Sequence, residues 1–199
     1  MKAPSKKLDD DPIIILDGVS LQALASVKLL GFHIDKHLNY STHIKETVLK
    51  CKGLLGVMKR SSCVIPQEML KLFYTAIVRT HLEYCAAVFC QAAPTHLTKL
   101  DVIQKMASRI IMGASSQAHS APLQEHLGLE PLEVRRKAHV IDIVKKCLLQ
   151  TYHPAVAGMI QVAQTGSILK PTARTIARKR SFSYAAAEIF NNSLPIIPV

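Results

Sequence analysis

A change of period across residues 27–40 constrains this fold more than any other feature of the sequence. Apolar and more polar residues alternate over residues 30–35, which is the pattern of a half-buried strand. From residue 41 onward the apolar residues return every three or four positions, which is the period of an amphipathic helix. We therefore expect a strand that ends at Asp35 and a helix that begins at Ser41.

Short strands are also predicted upstream of this change. Residues 13–16 are a branched apolar run, Asp17-Gly18 is a strong signal for a two-residue hairpin turn, and residues 19–24 suit the returning strand. Together with residues 29–34 they predict a small antiparallel β meander. Three short strands are marginal on their own, so one face should lie against helices or against another protein.

Three long helices are predicted after the meander. They start at residues 41, 67 and 94, and the apolar residues of the second helix, residues 67–88, cover more than half of its circumference. We expect this second helix to be central. Gly113 should end the third helix, and the short connections predict an antiparallel bundle.

Further helices are predicted for residues 122–128, 131–150 and 183–190. In the second of these, Val134, Ala138, Ile141 and Leu148 are expected to face inward. The fold class is therefore mainly α, with a small N-terminal β meander, a three-helix bundle and further helices. The predicted segments are a polar tail (1–12), the meander (13–40), the bundle (41–114), a helical extension (115–152) and a basic, loop-rich C-terminal segment (153–199).

The charge of the chain points to a polyanionic partner. Twenty-five Lys and Arg residues against 14 acids give a formal net charge of +11, and the whole excess lies beyond residue 40. Such a balance favours a nucleic acid or an acidic surface. No apolar run approaches the roughly 18 residues of a membrane-spanning helix, and the N-terminus does not resemble a signal peptide. We expect an intracellular protein without a membrane partner; nucleus and cytoplasm are not distinguished.

A row of lysines is the first candidate nucleic-acid site. Lys45, Lys52 and Lys59 recur every seventh residue, which keeps them on one side of the first helix, and Arg60 lies near its end. This spacing suits contacts with a phosphate backbone, although a solvated helix face is the ordinary alternative.

The remaining candidates are also cationic. They comprise two residues on the outer face of the third helix and a cluster near the C-terminus, namely Lys105, Arg109, Lys170, Arg174, Arg178, Lys179 and Arg180. A basic cluster of this kind is typical of a polyanion-binding arm or of a solvated one.

No catalytic motif is present in the sequence. Phosphate-binding loops, GxSxG, HExxH and GxGxxG are all absent, and the acidic residues 9–11 are best interpreted as part of a solvated tail. The five cysteines lack a CxxC spacing, which favours reduced, buried thiols. A zinc site formed by His81, Cys85, Cys90 and His96 is the weaker alternative. We expect no catalytic residue, metal or cofactor.

Several short motifs, each weak by itself, occur in an order that resembles a known family. The motifs are residues 27–35 (VKLLGFHID) with Leu38 and His43-Ile44; Leu82-Glu83-Tyr84-Cys85; residues 100–109 around Gln104-Lys105-Met106-Ala107; His119-Ser120-Ala121-Pro122-Leu123; residues 127–136 (LGLEPLEVRR); residues 180–186 (RSFSYAA); and Asn192-Ser193-Leu194-Pro195. This series is similar to the C-terminal part of reverse transcriptases of non-LTR (LINE-type) retrotransposons.

The resemblance implies a primer grip around residues 30–35 and a thumb formed by the helices that follow. In that arrangement Gly31 would permit a close backbone approach, and Lys45, Lys52 and Lys59 would face the phosphates of the duplex. The family's catalytic aspartates would lie upstream of this chain, and residues 9–11 do not match their motif. Phe89 stands where the family commonly has Trp.

The resemblance therefore predicts a truncated reverse-transcriptase-like protein, an RNA-directed DNA polymerase relic without its own activity. Its expected partner is an RNA/DNA or DNA duplex, bound without sequence specificity. The alternatives are a helical protein-interaction module or a fragment that self-associates through the face left open by a missing palm, and a zinc-binding enzyme.

Overall fold

The computed structural model describes residues 14–21, 24–163 and 166–193, and within them the fold is mainly α, as expected. The predicted polar tail and residue 13 lie outside the described residues. The strands are β1 (Ile14–Leu16), β2 (Val19–Leu21), β3 (Ser26–Leu29) and β4 (Phe32–Asp35). The helices are α1 (Ser41–Ser61), α2 (Gln67–Phe73), α3 (Arg79–Glu83), α4 (Ala86–Phe89), α5 (Pro94–Ile111), α6 (Ser120–His126), α7 (Leu132–Leu148), α8 (Pro154–Ala157), α9 (Ile176–Lys179) and α10 (Phe182–Ser193).

The strands form two separate hairpins. β1 pairs with β2 through the predicted Asp17-Gly18 turn, and β3 pairs with β4 in the register Ser26↔Asp35. The expectation of three strands in one meander is wrong in this detail. Its third strand, residues 29–34, contains a turn, because Leu30 and Gly31 have φ angles of 49° and 81° and reverse the chain there.

The change from strand to helix falls where the sequence places it. β4 ends at Asp35 and α1 begins at Ser41. The Asp35 carboxylate accepts hydrogen bonds from the backbone N–H groups of His37, Asn39 and Tyr40, at 3.1, 3.1 and 2.6 Å. This carboxylate therefore fixes the loop that orients α1 against the hairpin.

The bundle consists of α1, the α2–α3 segment and α5. Its core is apolar and is drawn from all three, with Ile44, Cys51, Leu55, Met58, Tyr74, Val78, Leu82, Leu100, Ile103 and Ala107 among its buried members. Inside this core the Tyr74 hydroxyl donates a hydrogen bond to Gln104 Oε1 at 2.7 Å. Gln104 Nε2 in turn donates to the carbonyl of Glu130 at 2.9 Å, which ties the bundle to the segment before α7.

The predicted continuous helix over residues 67–88 is interrupted twice. A π-helical turn, Tyr74–Val78, separates α2 from α3, and the backbone leaves the helix at Tyr84 and Cys85, where Cys85 has φ 58°. The apolar residues of the sequence keep their helical spacing across the break at Tyr84 and Cys85. Tertiary contact decides the geometry, because the Tyr84 hydroxyl donates to the Leu30 carbonyl at 2.6 Å and joins this corner to the hairpin turn.

A second apolar cluster lies between α7 and α10. It contains Val140, Val144, Ala186, Ala187 and Phe190, so the end of the predicted loop-rich segment packs as an ordered helix. The expected inward face of α7 is wrong in part: Ile141 packs against this cluster, but Val134, Ala138 and Leu148 are exposed. The buried row instead includes Leu132, Arg136, Val140 and Val144.

The buried Arg136 explains the inward row of α7. Its guanidinium donates to Asp101 Oδ1 of α5 at 3.2 and 3.3 Å, and only 4% of Arg136 is exposed. Arg135 donates to Glu83 of α3 through two nitrogens. These two pairs join α7 to the bundle and hold the C-terminal part of the chain beside it.

Candidate nucleic-acid interface

The lysine row of Lys45, Lys52 and Lys59 lies along α1, and all three side chains are exposed. Because residues seven apart in an α-helix return nearly to the same side, the three ammonium groups share one flank of α1. The buried residues of α1 point in a different direction, into the bundle core. The row therefore presents positive charge to solvent along most of the helix.

One end of the lysine row meets three other basic side chains. Burial lowers the pKa of His96, and the charges of Lys99, Lys45 and Arg180 lower it further, while Asp35 opposes them. Arg180 reaches this end of the bundle from the C-terminal part of the chain, where its Nη1 donates to the His37 carbonyl at 3.4 Å. Because α1, α5 and the segment before α10 all contribute here, the positive charge spreads across three elements.

The other end of the row meets the end of α5. Lys59 and Arg109 line the same surface depression of about 420 Å³, with Met106 and Ile110 between them. Arg109 Nε donates to the Ala118 carbonyl at 2.9 Å, which fixes the base of its guanidinium. We call the lysine row, Lys99, Arg109 and Arg180 the basic seam.

The remaining predicted cations are not counted in the basic seam. Lys105 is exposed; by helix geometry it lies about 120° around α5 from Lys99 but only about 40° from Arg109, so it flanks the Arg109 end of the seam. Arg60 is exposed, and its guanidinium lies over Gly56. Lys170 donates to Glu188 Oε1 at 3.0 Å and stands 4.4 Å from the centre of the Tyr184 ring, so its charge is partly neutralised.

Three further cations of the C-terminal cluster, Arg174, Arg178 and Lys179, are exposed. Arg178 and Lys179 belong to the short helix α9, where the Thr175 hydroxyl caps the backbone N–H of Arg178 at 3.2 Å. These residues lie on an ordered turn, which leaves their charged ends in solvent.

Gly31 is placed at the tip of the second hairpin. Its φ of 81° requires a residue that tolerates the left-handed region, and no atom lies within 4 Å of the position a Cβ would take. The neighbouring Leu30 is 86% exposed. Gly31 therefore serves the turn, and the tip is open to solvent.

The four residues considered for zinc do not converge. In the described part of the chain, no group of three or more His, Cys, Asp or Glu side chains is placed to hold a metal ion. Burial raises the pKa of Cys85, and it raises that of Cys90 to about 11. Both thiols therefore favour the protonated form in the metal-free protein.

Lys99 and His96 are the members of this surface that sequence reasoning missed. Both lie near the start of α5, and neither belongs to a run of basic residues. Their position beside Lys45 depends on how α5 packs against α1. The available signal was the predicted antiparallel bundle of three helices, in which the first and third helices run in the same direction and have their first turns at the same end.

The described fold is mainly helical, and this surface is basic. Among the described residues, no helix has both the length and the apolar character needed to cross a membrane. No protein-family model matches the chain, and no solved structure matches it.

One curated protein is similar to this chain: a probable RNA-directed DNA polymerase from transposon BS of Drosophila melanogaster. The two are 25% identical over 130 residues, which cover 63% of this chain and 14% of the relative. The chain thus matches a small part of a much longer protein. This similarity supports a relationship to a reverse transcriptase.

Proposed function

We propose that this protein binds nucleic-acid duplexes through the basic seam, without reading their sequence. The observation that carries the proposal is the exposed lysine row, which runs along α1 and is extended at both ends by cations from other elements. Phosphate contacts by lysine and arginine supply affinity and position without base specificity. An RNA/DNA or a DNA duplex offers the regular row of phosphates that this arrangement suits.

The proposed structural role is that of a primer grip and thumb of a LINE-type reverse transcriptase. Three features support it. They are the order of the sequence motifs, the similarity to a transposon polymerase, and the order of the structural elements, in which an open hairpin precedes a three-helix bundle. In this proposal the β3–β4 hairpin is the grip and α1 to α5 are the thumb. The protein then holds a duplex and does not itself catalyse polymerisation.

A salt titration tests the binding proposal. Fluorescence anisotropy with a labelled 20-base-pair duplex should show tight binding at 50 mM salt and a steep linear fall of log K with log[salt], because each neutralised phosphate releases counterions. Duplexes of unrelated sequence should give the same curve. A flat salt dependence, or no binding at 50 mM salt, would overturn the proposal.

A second candidate function is protein association, and the exposed apolar residues of the hairpins favour it. Ile15, Leu16, Val19, Leu29 and Leu30 are between 59% and 86% exposed. Large apolar side chains exposed on both hairpins are the kind of surface that a protein contact covers. We propose a second copy of the chain as the partner in this case.

Analytical ultracentrifugation in 0.5 M salt tests self-association without nucleic acid. A dimer that dissociates when Leu16 and Val19 are both replaced by Thr would support the second candidate. Threonine favours strands, so the replacement removes apolar surface without disfavouring the hairpin. A monomer at every protein concentration would contradict it. The duplex-binding proposal does not depend on this result.

A further inference from the structure

A polar pocket lies on the opposite flank of α1 from the lysine row. Its volume is about 490 Å³, and its walls come from the β3–β4 hairpin, α1 and the α3 end. Lys50 of this pocket precedes Lys52 by two residues, which places it about 160° around the helix from the lysine row. The pocket is therefore separate from the basic seam.

The floor of the pocket contains a buried imidazole without a hydrogen-bond partner. His43 lines the pocket and is 6% exposed, yet its Nε2 has no hydrogen-bond partner. The ring is held by aromatic neighbours, with its centre 4.2 Å from that of Phe32 and 5.9 Å from that of Phe89. Since buried polar atoms normally have partners, this nitrogen leaves an unmet hydrogen-bonding capacity beside the pocket.

Positive charge surrounds the opening of the pocket. Lys28 on β3 and Lys50 on α1 are both exposed and line it from different elements. His81 of α3 also lines it, and burial together with the charge of Lys50 lowers the pKa of His81. Burial, assisted by His33, likewise lowers the pKa of His43, although Glu46 opposes this shift. The lining therefore combines two ammonium groups with two imidazoles whose pKa values are lowered.

Glu46 adds a carboxylate to the lining of the pocket. Its carboxylate lines the wall, with Oε2 lying 3.0 Å from Nε2 of His33. A carboxylate repels a bare inorganic anion but accepts hydrogen bonds from the hydroxyl groups of a sugar. Tyr84, 45% exposed, adds an aromatic ring to the same pocket, and its hydroxyl is held by the Leu30 carbonyl. These features favour a phosphate carried on a sugar over free phosphate.

We propose that this pocket binds a 5′-nucleotide, with the phosphate between Lys28 and Lys50 and the sugar hydroxyl groups toward Glu46. The nucleotide is either free or the phosphorylated 5′ end of a strand. The pocket does not use the basic seam, so this inference stands apart from the proposed duplex binding.

Isothermal titration calorimetry at pH 7.5 tests the proposal with AMP, adenosine and inorganic phosphate as probes. AMP should bind more tightly than the other two, and Lys50→Ala should weaken AMP at least tenfold. Lys145→Ala on α7 removes the same charge from an exposed position and should leave AMP affinity unchanged. In NMR spectra the imidazole signals of His43 and His81 should shift as AMP is added.

The source of the nucleotide is distinguished by single-stranded oligonucleotides with a 5′-phosphate or a 5′-hydroxyl. Preference for the phosphorylated strand that Lys50→Ala removes would identify a strand end, and AMP binding without that preference would identify a free nucleotide. If AMP does not bind and the 5′-phosphate has no effect, the proposal is wrong. The same holds if Lys50→Ala and Lys145→Ala behave alike. Lys50→Ala should keep the duplex affinity and salt slope of the unmodified protein, so the two proposals fail separately.

Discussion

Replacing the lysine row by glutamine is the most direct perturbation of the proposed interface. Lys45, Lys52 and Lys59 follow one another at about 10.5 Å along α1, from a rise of about 1.5 Å per residue. This distance is close to three phosphates of one strand, whose rise along the duplex axis is about 3.4 Å each. Each ammonium group can therefore meet its own phosphate, and the three contacts count separately.

The size of the effect follows from counterion release. Each lost phosphate contact lowers the salt slope by about 0.9, so the triple variant should lose about 2.7 from the slope of log K against log[salt]. By the same relation, the ratio of the affinity of the unmodified protein to that of the triple variant should fall about 40-fold between 50 and 200 mM salt. Fluorescence anisotropy with one labelled duplex at five salt concentrations measures both slopes.

A second triple variant controls for net charge alone. Lys137, Lys145 and Lys146 lie on α7 and are exposed, and two of them already form ion pairs with acids on the same helix. Their replacement by glutamine removes the same formal charge away from the lysine row. Its salt slope should change by less than about 1. Equal slopes for the two variants would refute the reasoning, because binding would then depend on total charge and not on the row.

Three further predictions concern the fold that positions these sites. Tyr74→Phe should lower the free energy of unfolding by about 1–3 kcal/mol in urea titrations, because the buried Gln104 Oε1 loses its donor; no change would show that water replaces the hydroxyl. Gly31→Ala should cost about 1–2 kcal/mol in the same assay from its left-handed backbone alone, since the space beside it is open, and Gly31→Asn should cost less. Burial lowers the pKa of His43, so the unfolded chain takes up this proton first as the pH falls below about 6.5. The free energy of unfolding should therefore fall between pH 7.5 and 5.5. The fall should be smaller in His43→Gln than in His126→Gln, which replaces an exposed histidine as a control. Equal falls in the two variants would contradict this assignment.

Local patterns in the sequence were sufficient for the fold class and for several boundaries. The Asp17-Gly18 turn, the strand end at Asp35 and the helix start at Ser41 all depend on residues close together in the chain, and the structure confirms them. The lysine row was also visible, since a heptad spacing and a helix determine its alignment. Backbone preference and helical period act over a few residues, which is why these features could be predicted.

Features that depend on packing were predicted poorly. The apolar period of residues 67–88 gave no sign of the break at Cys85, which accompanies the contact between Tyr84 and the hairpin turn. Part of the buried side of α7 was predicted wrongly, because the helical period of its apolar residues does not show that Arg136 is buried. A charged residue is buried only where a partner such as Asp101 meets it, and that partner lies on another helix.

The sequence by itself determined a basic, mainly helical chain with a row of lysines along its first long helix. The tertiary structure decided which distant cations join that row, because Lys99 and Arg180 reach Lys45 only through the packing of α5 and the C-terminal segment. It also left His43 buried with an unpartnered nitrogen beside Lys50. The net charge and the helical period depend only on residues close together in the sequence. The burial of a side chain and its distance from residues of other elements are set only when those elements pack and exclude water between them.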